Sequence, residues 1–253
     1  MQVTSQVAGR RARFGVDGPA EVGVLVVATS GLLAGAASAL SARRRIGWPL
    51  LAGGLLEGFR AATYLHATLR GKLVVWEREL DALGLDGTER VLDLGCGRGA
   101  VLLAVARRLT TGRAVGLDRW RAADQSGNTP AAARDAAVAE GLADRVDLVT
   151  GDLRSLPFAD ASVDVVVSSL AVHNVARADA RRTALAEAVR VLRPGGRLLV
   201  ADVLHAREYA DVLRALGARD VVVRPLGWRT WFGGPWFSLR MVSARRCATG
   251  AGL

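Results

Sequence analysis

Arg90-Val-Leu-Asp-Leu-Gly-Cys-Gly-Arg-Gly-Ala-Val-Leu-Leu103 decides the reading of this chain. Val91, Leu92 and Leu94 make a short apolar run, as in a strand buried on both faces of a parallel sheet. Gly95, Gly97 and Gly99 follow, and Ala100 to Leu109 reads as a helix. A strand, a glycine turn and a helix form the geometry of a nucleotide-type cofactor site, where glycines let a ligand approach and the helix start offers free N–H donors. A dinucleotide fingerprint would read G-x-G-x-x-G and bring a pyrophosphate to the helix. Here Asp93 stands two residues before the first glycine. A carboxylate in that loop repels a pyrophosphate and suits a ligand carrying an ammonium group.

The stretch resembles motif I of the class I S-adenosylmethionine (SAM) methyltransferases, an acid followed by alternating glycines that hold the methionyl part of SAM. Further segments keep that family's order. Ala114 to Leu117 is a second apolar strand ending in Asp118, the position at which the family takes the ribose hydroxyls. Val146 to Val149 is a third strand, followed by Gly151-Asp152-Leu153, which resembles the adenine-side motif. There Asp152 is expected to accept from the exocyclic amine, with Leu153 near the ring. Val163 to Ser169 gives a fourth strand and Arg190 to Val200 a helix end, a Pro-Gly-Gly turn and a fifth. The resemblance implies an α/β, Rossmann-like doubly wound sheet of seven strands, the last antiparallel, with SAM as cofactor. It places Asp93, Gly95, Cys96, Gly97, Gly99, Asp118, Arg119, Trp120, Gly151, Asp152, Leu153 and Ser169 at the cofactor. Cys96 reads as a small residue that fits the loop, and Trp120 either covers the adenine or caps the sheet.

His173 and Asn174 follow the fourth strand, outside the carboxyl ends of the strands, where this architecture meets its ligands. His173 suits a general base near neutral pH; its plainer role is to hold the loop. These two are the candidate catalytic residues. Ser168-Ser-Leu-Ala171 differs from the Asn/Asp-Pro-Pro-Tyr/Phe motif typical of relatives that methylate nucleobase or glutamine amino groups. Neither cysteine lies near this loop in sequence, which disfavours cytosine C5 methylation.

The chain has 253 residues, 51% of them hydrophobic, and a net charge of +10. Residues 1–78 hold ten basic and four acidic residues, so much of the excess flanks the apolar N-terminal segments. That favours an anionic membrane surface over nucleic acid. Two cysteines and three scattered histidines suggest neither a disulfide framework nor a metal site.

The expected organisation is a basic flexible tail over 1–18, hydrophobic helical segments over 19–70, a connecting helix over 71–89 and the methyltransferase domain over 90–247. Val22 to Leu40 carries no charge and is just long enough to cross a hydrocarbon core. Gly31, Gly35 and Ala39 recur every fourth position, a spacing that lets helices pack closely. Arg43-Arg-Arg45 and Trp48 then suit an interface. The apolar run from Ile46 to Leu69 includes Glu57 and Arg60, three apart and able to neutralise each other on a helix. A cleaved signal peptide is disfavoured because Ser38 to Ala42 leads straight into the arginines and an exported domain would find no SAM.

Residues 228–237 hold five of the chain's aromatic residues, read as a packed hairpin or an apolar substrate mouth. The Gly-Trp-Arg and Gly-Gly-Pro-Trp elements resemble a group of bacterial methyltransferase-domain proteins with an N-terminal hydrophobic region. More widely, the chain resembles the ubiquinone/menaquinone-biosynthesis methyltransferases, from which its 171–174 loop departs. The reading is SAM-dependent methyl transfer to a small lipophilic acceptor at the cytoplasmic face of a bacterial membrane. A tethered enzyme for a soluble molecule or peptide, a non-catalytic SAM-binding module and a soluble cytoplasmic location are the alternatives.

Overall fold

The computed structural model describes residues 14–248. Seven strands form one sheet: β1 (Arg90–Leu94), β2 (Arg113–Asp118), β3 (Val146–Thr150), β4 (Val163–Ser169), β5 (Leu192–Asp202), β6 (Arg219–Pro225) and β7 (Arg240–Arg245). Their order is β3-β2-β1-β4-β5-β7-β6. The first five are parallel, and β7 runs antiparallel between β5 and β6. This is the Rossmann-like sheet expected, with its order reversing at β1 and β4, where ligand crevices form. Val91, Leu92, Val165, Val166 and Val167 are buried, as strands covered by helices on both faces require.

Two helices precede the sheet and pack as an antiparallel hairpin: α1 (Pro19–Ser41) and α2 (Gly47–His66). The close-approach glycines lie on α2, not at Gly31 and Gly35. A Cβ on Gly47 would meet Leu40 at 2.5 Å and one on Gly54 would meet Leu33 at 2.6 Å, whereas Gly31 has nothing within 4 Å. Glu57 and Arg60 pair at 2.8 Å, so the charges of α2 neutralise each other as expected.

After α2 the chain stays helical. A five-residue π-turn (Ala67–Gly71) carries it into α3 (Lys72–Leu83), so residues 47–83 form one continuous helical run with no boundary near 70. Extra residues of this kind in a helix tend to occur at functional sites. Here the turn carries Thr68, which bonds Asp17, and leads directly into Lys72. Gly84, at φ 62°, caps α3, so the helix ends short of the 71–89 expected for it. Phe14 to Gly18, assigned from sequence to a flexible tail, are instead packed. Phe14 is buried, and Val16 donates to Ser126 Oγ at 2.9 Å. Apolar and hydrogen-bonding contacts to residues distant in sequence fix this strap, and its short length concealed them. The rest of that tail, residues 1–13, lies outside the described residues.

Candidate active site

One cavity of about 790 Å³ opens at the carboxyl ends of β1, β2 and β4. Its floor is the glycine loop between β1 and α4 (Ala100–Ala106). Gly95 takes φ 74°, and a Cβ there would lie 2.2 Å from that of Ala171, so only glycine lets this loop pass the loop after β4.

Asp93, 1% exposed, lines the cavity, and neither carboxylate oxygen has a hydrogen-bond partner. Burial, aided by the charge of Asp118, pushes its pKa up to about 8. A buried carboxyl in that condition lacks a cation. The α-ammonium of SAM would supply one, so the residues fit the cofactor.

Asp118 accepts from the Gly97 N–H at 2.9 Å, from the Trp120 N–H at 2.6 Å and from Asn128. It thereby ties the glycine loop to the loop after β2 while still facing the cavity. Asp152 lines the wall beyond it, but Arg154 grips both its oxygens and Arg119 stands 3.6 Å away. The Arg154 guanidinium holds Asp152 at about 2, fixing it as a carboxylate. Gly151, Leu153 and Ser169 complete this side, and the buried Trp76 indole donates to Ser169 Oγ at 2.9 Å.

Cys96 lines the loop as a buried thiol. Burial first, then Asp93 and Asp118, raise its pKa well above the usual value. It stays protonated and is unsuited to nucleophilic attack. Two expected cofactor residues stand off the cavity wall. Gly99 caps α4 behind the loop. Trp120 donates its indole N–H to Thr150 and packs on the core, the sheet-capping alternative.

His173 stands opposite the loop in a short turn with Asn174. Its Nδ1 lies 2.5 Å from Asp202 Oδ1, and its backbone N–H donates to Asp202 Oδ2 at 3.0 Å. Asp202 is fully buried at the end of β5 and also accepts from the Val203 N–H and the Tyr209 hydroxyl. Burial alone would lower the His173 pKa. The hydrogen bond and charge of Asp202, helped by Asp124 and Asp17, outweigh it and hold the imidazole above its ordinary value. With Nδ1 committed to Asp202, Nε2 is the nitrogen left to exchange a proton.

The roof comes from the hairpin and the 228–237 segment. Val24, Leu25, Tyr64, Phe232, Trp236 and Phe237 line it, with Phe232 edge-on to Tyr64 at 5.1 Å. Trp228 instead stacks on His66 outside the cavity. Sequence reasoning missed Asp202, Gln125, Asp17, Tyr64 and Lys72. An acid at the carboxyl end of β5 was a usable signal for Asp202. Lys72 was visible only as the chain's single lysine.

Residues 92–200 match the methyltransferase domain family, and this part of the chain is a class I SAM-dependent methyltransferase domain. The ubiquinone/menaquinone biosynthesis C-methyltransferase of Roseobacter denitrificans is 38% identical over 126 residues, covering 50% of this chain and 47% of that protein. The demethylmenaquinone methyltransferase of Beutenbergia cavernae is 41% identical over 131 residues, 51% of this chain and 47% of that one. The chain thus spans about half the length of the curated relatives it matches. Among solved structures, a SAM-dependent methyltransferase from Aquifex aeolicus superposes with a TM-score of 0.55 at 21% identity, covering 68% of this chain and 89% of that one. The geranyl diphosphate C-methyltransferase of Streptomyces coelicolor, solved with S-adenosylhomocysteine, gives 0.54 at 17%, covering 68% and 78%. These two likenesses establish the fold.

Proposed function

We propose that the protein transfers a methyl group from SAM to a lipophilic small molecule drawn from the cytoplasmic face of a membrane. The single observation that carries this reading is the continuity of the cavity. An ammonium-seeking carboxyl lies at one end, a His–Asp pair stands in the wall, and the apolar hairpin and aromatic segment form the other end. SAM bound across Asp93, Asp118 and Asp152 supplies an activated methyl on its sulfonium. The protein's part is to hold the acceptor in line with that methyl, exclude water and take a proton. Proximity in a dry site supplies much of such a rate. The relatives that act in quinone biosynthesis support an aromatic or polyprenyl-bearing acceptor.

The membrane part rests on the hairpin surface. Val24, Val26, Val27, Trp48, Leu55, Leu56 and Phe59 are exposed, and α1 is long and apolar enough to cross a membrane. The three arginines sit between the helices. At about 35 Å, α1 would have to carry them across a whole bilayer to span it. A hairpin lying in one leaflet keeps them at anionic headgroups.

Replacing Val27 and Leu55 together by aspartate should abolish sedimentation with anionic phospholipid vesicles. SAM affinity should stay within about twofold, because neither side chain lines the cavity. Undiminished sedimentation of the double variant would contradict the membrane-facing hairpin.

A further inference from the structure

SAM ends in an amino acid, whose ammonium and carboxylate share one carbon. A wall that receives the ammonium at Asp93 must therefore satisfy the carboxylate close by, and a cation is the strongest partner for it. Four arginine or lysine residues line the cavity. Arg60 is paired with Glu57 on α2, Arg119 faces Asp152 at the adenine side, and Arg121 is exposed in the loop after β2, where its charge is felt at Asp124. The fourth is Lys72, buried on the first turn of α3, whose charge is felt at Asp93.

Lys72 is already occupied, and by an unexpected group. Its ammonium pairs with Asp17 Oδ2, an oxygen that also accepts from the Thr68 hydroxyl at 2.8 Å. Asp17 belongs to the strap that leads into α1. The strap is fixed over the cofactor side of the cavity by Gln125, which donates to Asp17 Oδ1 at 2.9 Å, and by Gly18, whose N–H donates to the Asp124 carbonyl. Gln125 in turn accepts from the Arg98 N–H of the glycine loop at 2.8 Å. The strap therefore connects the root of the hairpin, the cofactor loop and Lys72.

We infer that Lys72 is the subsite for the carboxylate of SAM, and that Asp17 is an internal carboxylate that the cofactor displaces from it. Two carboxylates on one buried ammonium must share a single positive charge where water screens little. Arrival of the cofactor therefore weakens the Asp17 contact and loosens the strap. Cofactor occupancy is in this way coupled to the root of the hairpin, next to the acceptor's entrance. The inference rests on the SAM-binding reading above.

The test compares SAM with decarboxylated SAM, which keeps the sulfonium and the amine but lacks the carboxylate, by calorimetric titration. The wild-type protein should prefer SAM by about 10- to 100-fold, the effect of one charge-assisted contact. Lys72→Met should bind both alike. Asp17→Asn, which keeps the shape and removes the competing charge, should bind SAM several-fold more tightly and leave the analogue unchanged. In the wild type, SAM should speed hydrogen exchange of the Val16 and Asp17 amides, while the analogue should not. Equal weakening of both ligands by Lys72→Met, or weaker SAM binding by Asp17→Asn, overturns the inference while leaving the cofactor reading in place. If Lys72→Met does not fold, Asp17→Asn and the exchange measurement decide. Wild-type protein that binds neither ligand defeats the cofactor reading itself, and this inference with it.

Discussion

Asp93→Asn is expected to weaken SAM binding by at least about 100-fold while making the ligand-free protein more heat-stable above neutral pH. Both effects follow from one buried carboxyl without a partner. Removing one member of a buried ion pair typically costs about 3–5 kcal/mol, which sets the binding loss. The stability effect has the opposite sign. The Asp93 pKa rises from the carboxylate range to about 8 on folding. Its favourable contribution is thus present at acid pH and is lost as pH climbs from about 4 through about 8. Asparagine never ionises and escapes that loss. Melting curves of the two proteins between pH 5 and pH 8.5 should diverge as pH rises, with the variant melting higher, and SAM should reverse the order by stabilising only the wild type. A variant that melts lower at every pH would show that Asp93 is a structural carboxyl.

His173→Ala is expected to slow methyl transfer by about 100- to 1,000-fold, in the range of a lost general base, with SAM affinity changed by no more than about twofold. The base works when neutral. Since Asp202 holds the His173 pKa above its ordinary value, the rate should climb with pH through that raised value and level off beyond it. Asp202→Asn removes the hydrogen bond and charge that oppose burial, so the inflection should move to lower pH. A rate independent of pH, or an inflection that stays put in Asp202→Asn, would leave His173 with the loop-holding role alone. The same pair contributes to stability, as the raised His173 pKa favours the folded protein at low pH and loses that effect as pH rises past it.

The order of strands and the cofactor loop were legible because both are local. Apolar runs mark β1, β2 and β4, and the Asp93–Gly99 spacing marks the turn from β1 into α4. The left-handed backbone at Gly95 and the close pass of Ala171 are physical reasons for that spacing. The partners of these residues were not legible. Asp202 lies 29 residues beyond His173, and Asp17 lies 55 before Lys72, so neither pairing leaves a periodic trace. The strap was misread for a related reason. Following Gly9-Arg-Arg-Ala-Arg13, Phe14 to Gly18 look like the end of a basic tail, yet their backbone and Asp17 find partners in the 124–126 loop, on the π-turn and on α3. Trp120 was ambiguous because the same indole can cover a ligand or cap an edge; in the structure it donates to Thr150 on β3. The apolar hairpin was plain from composition, but which helix supplied the close-packing glycines depended on which faces met.

The most direct test of methyl transfer to a lipophilic acceptor feeds methyl-labelled SAM to the full chain, together with an extract of the lipids of its own cells. The products are then partitioned between organic and aqueous phases, with Asp93→Asn as the control. The site described here predicts label in the organic phase with the wild-type protein and none with the variant. Label confined to the aqueous or protein fractions would contradict a lipophilic acceptor, and SAM bound without any label transferred would contradict catalysis.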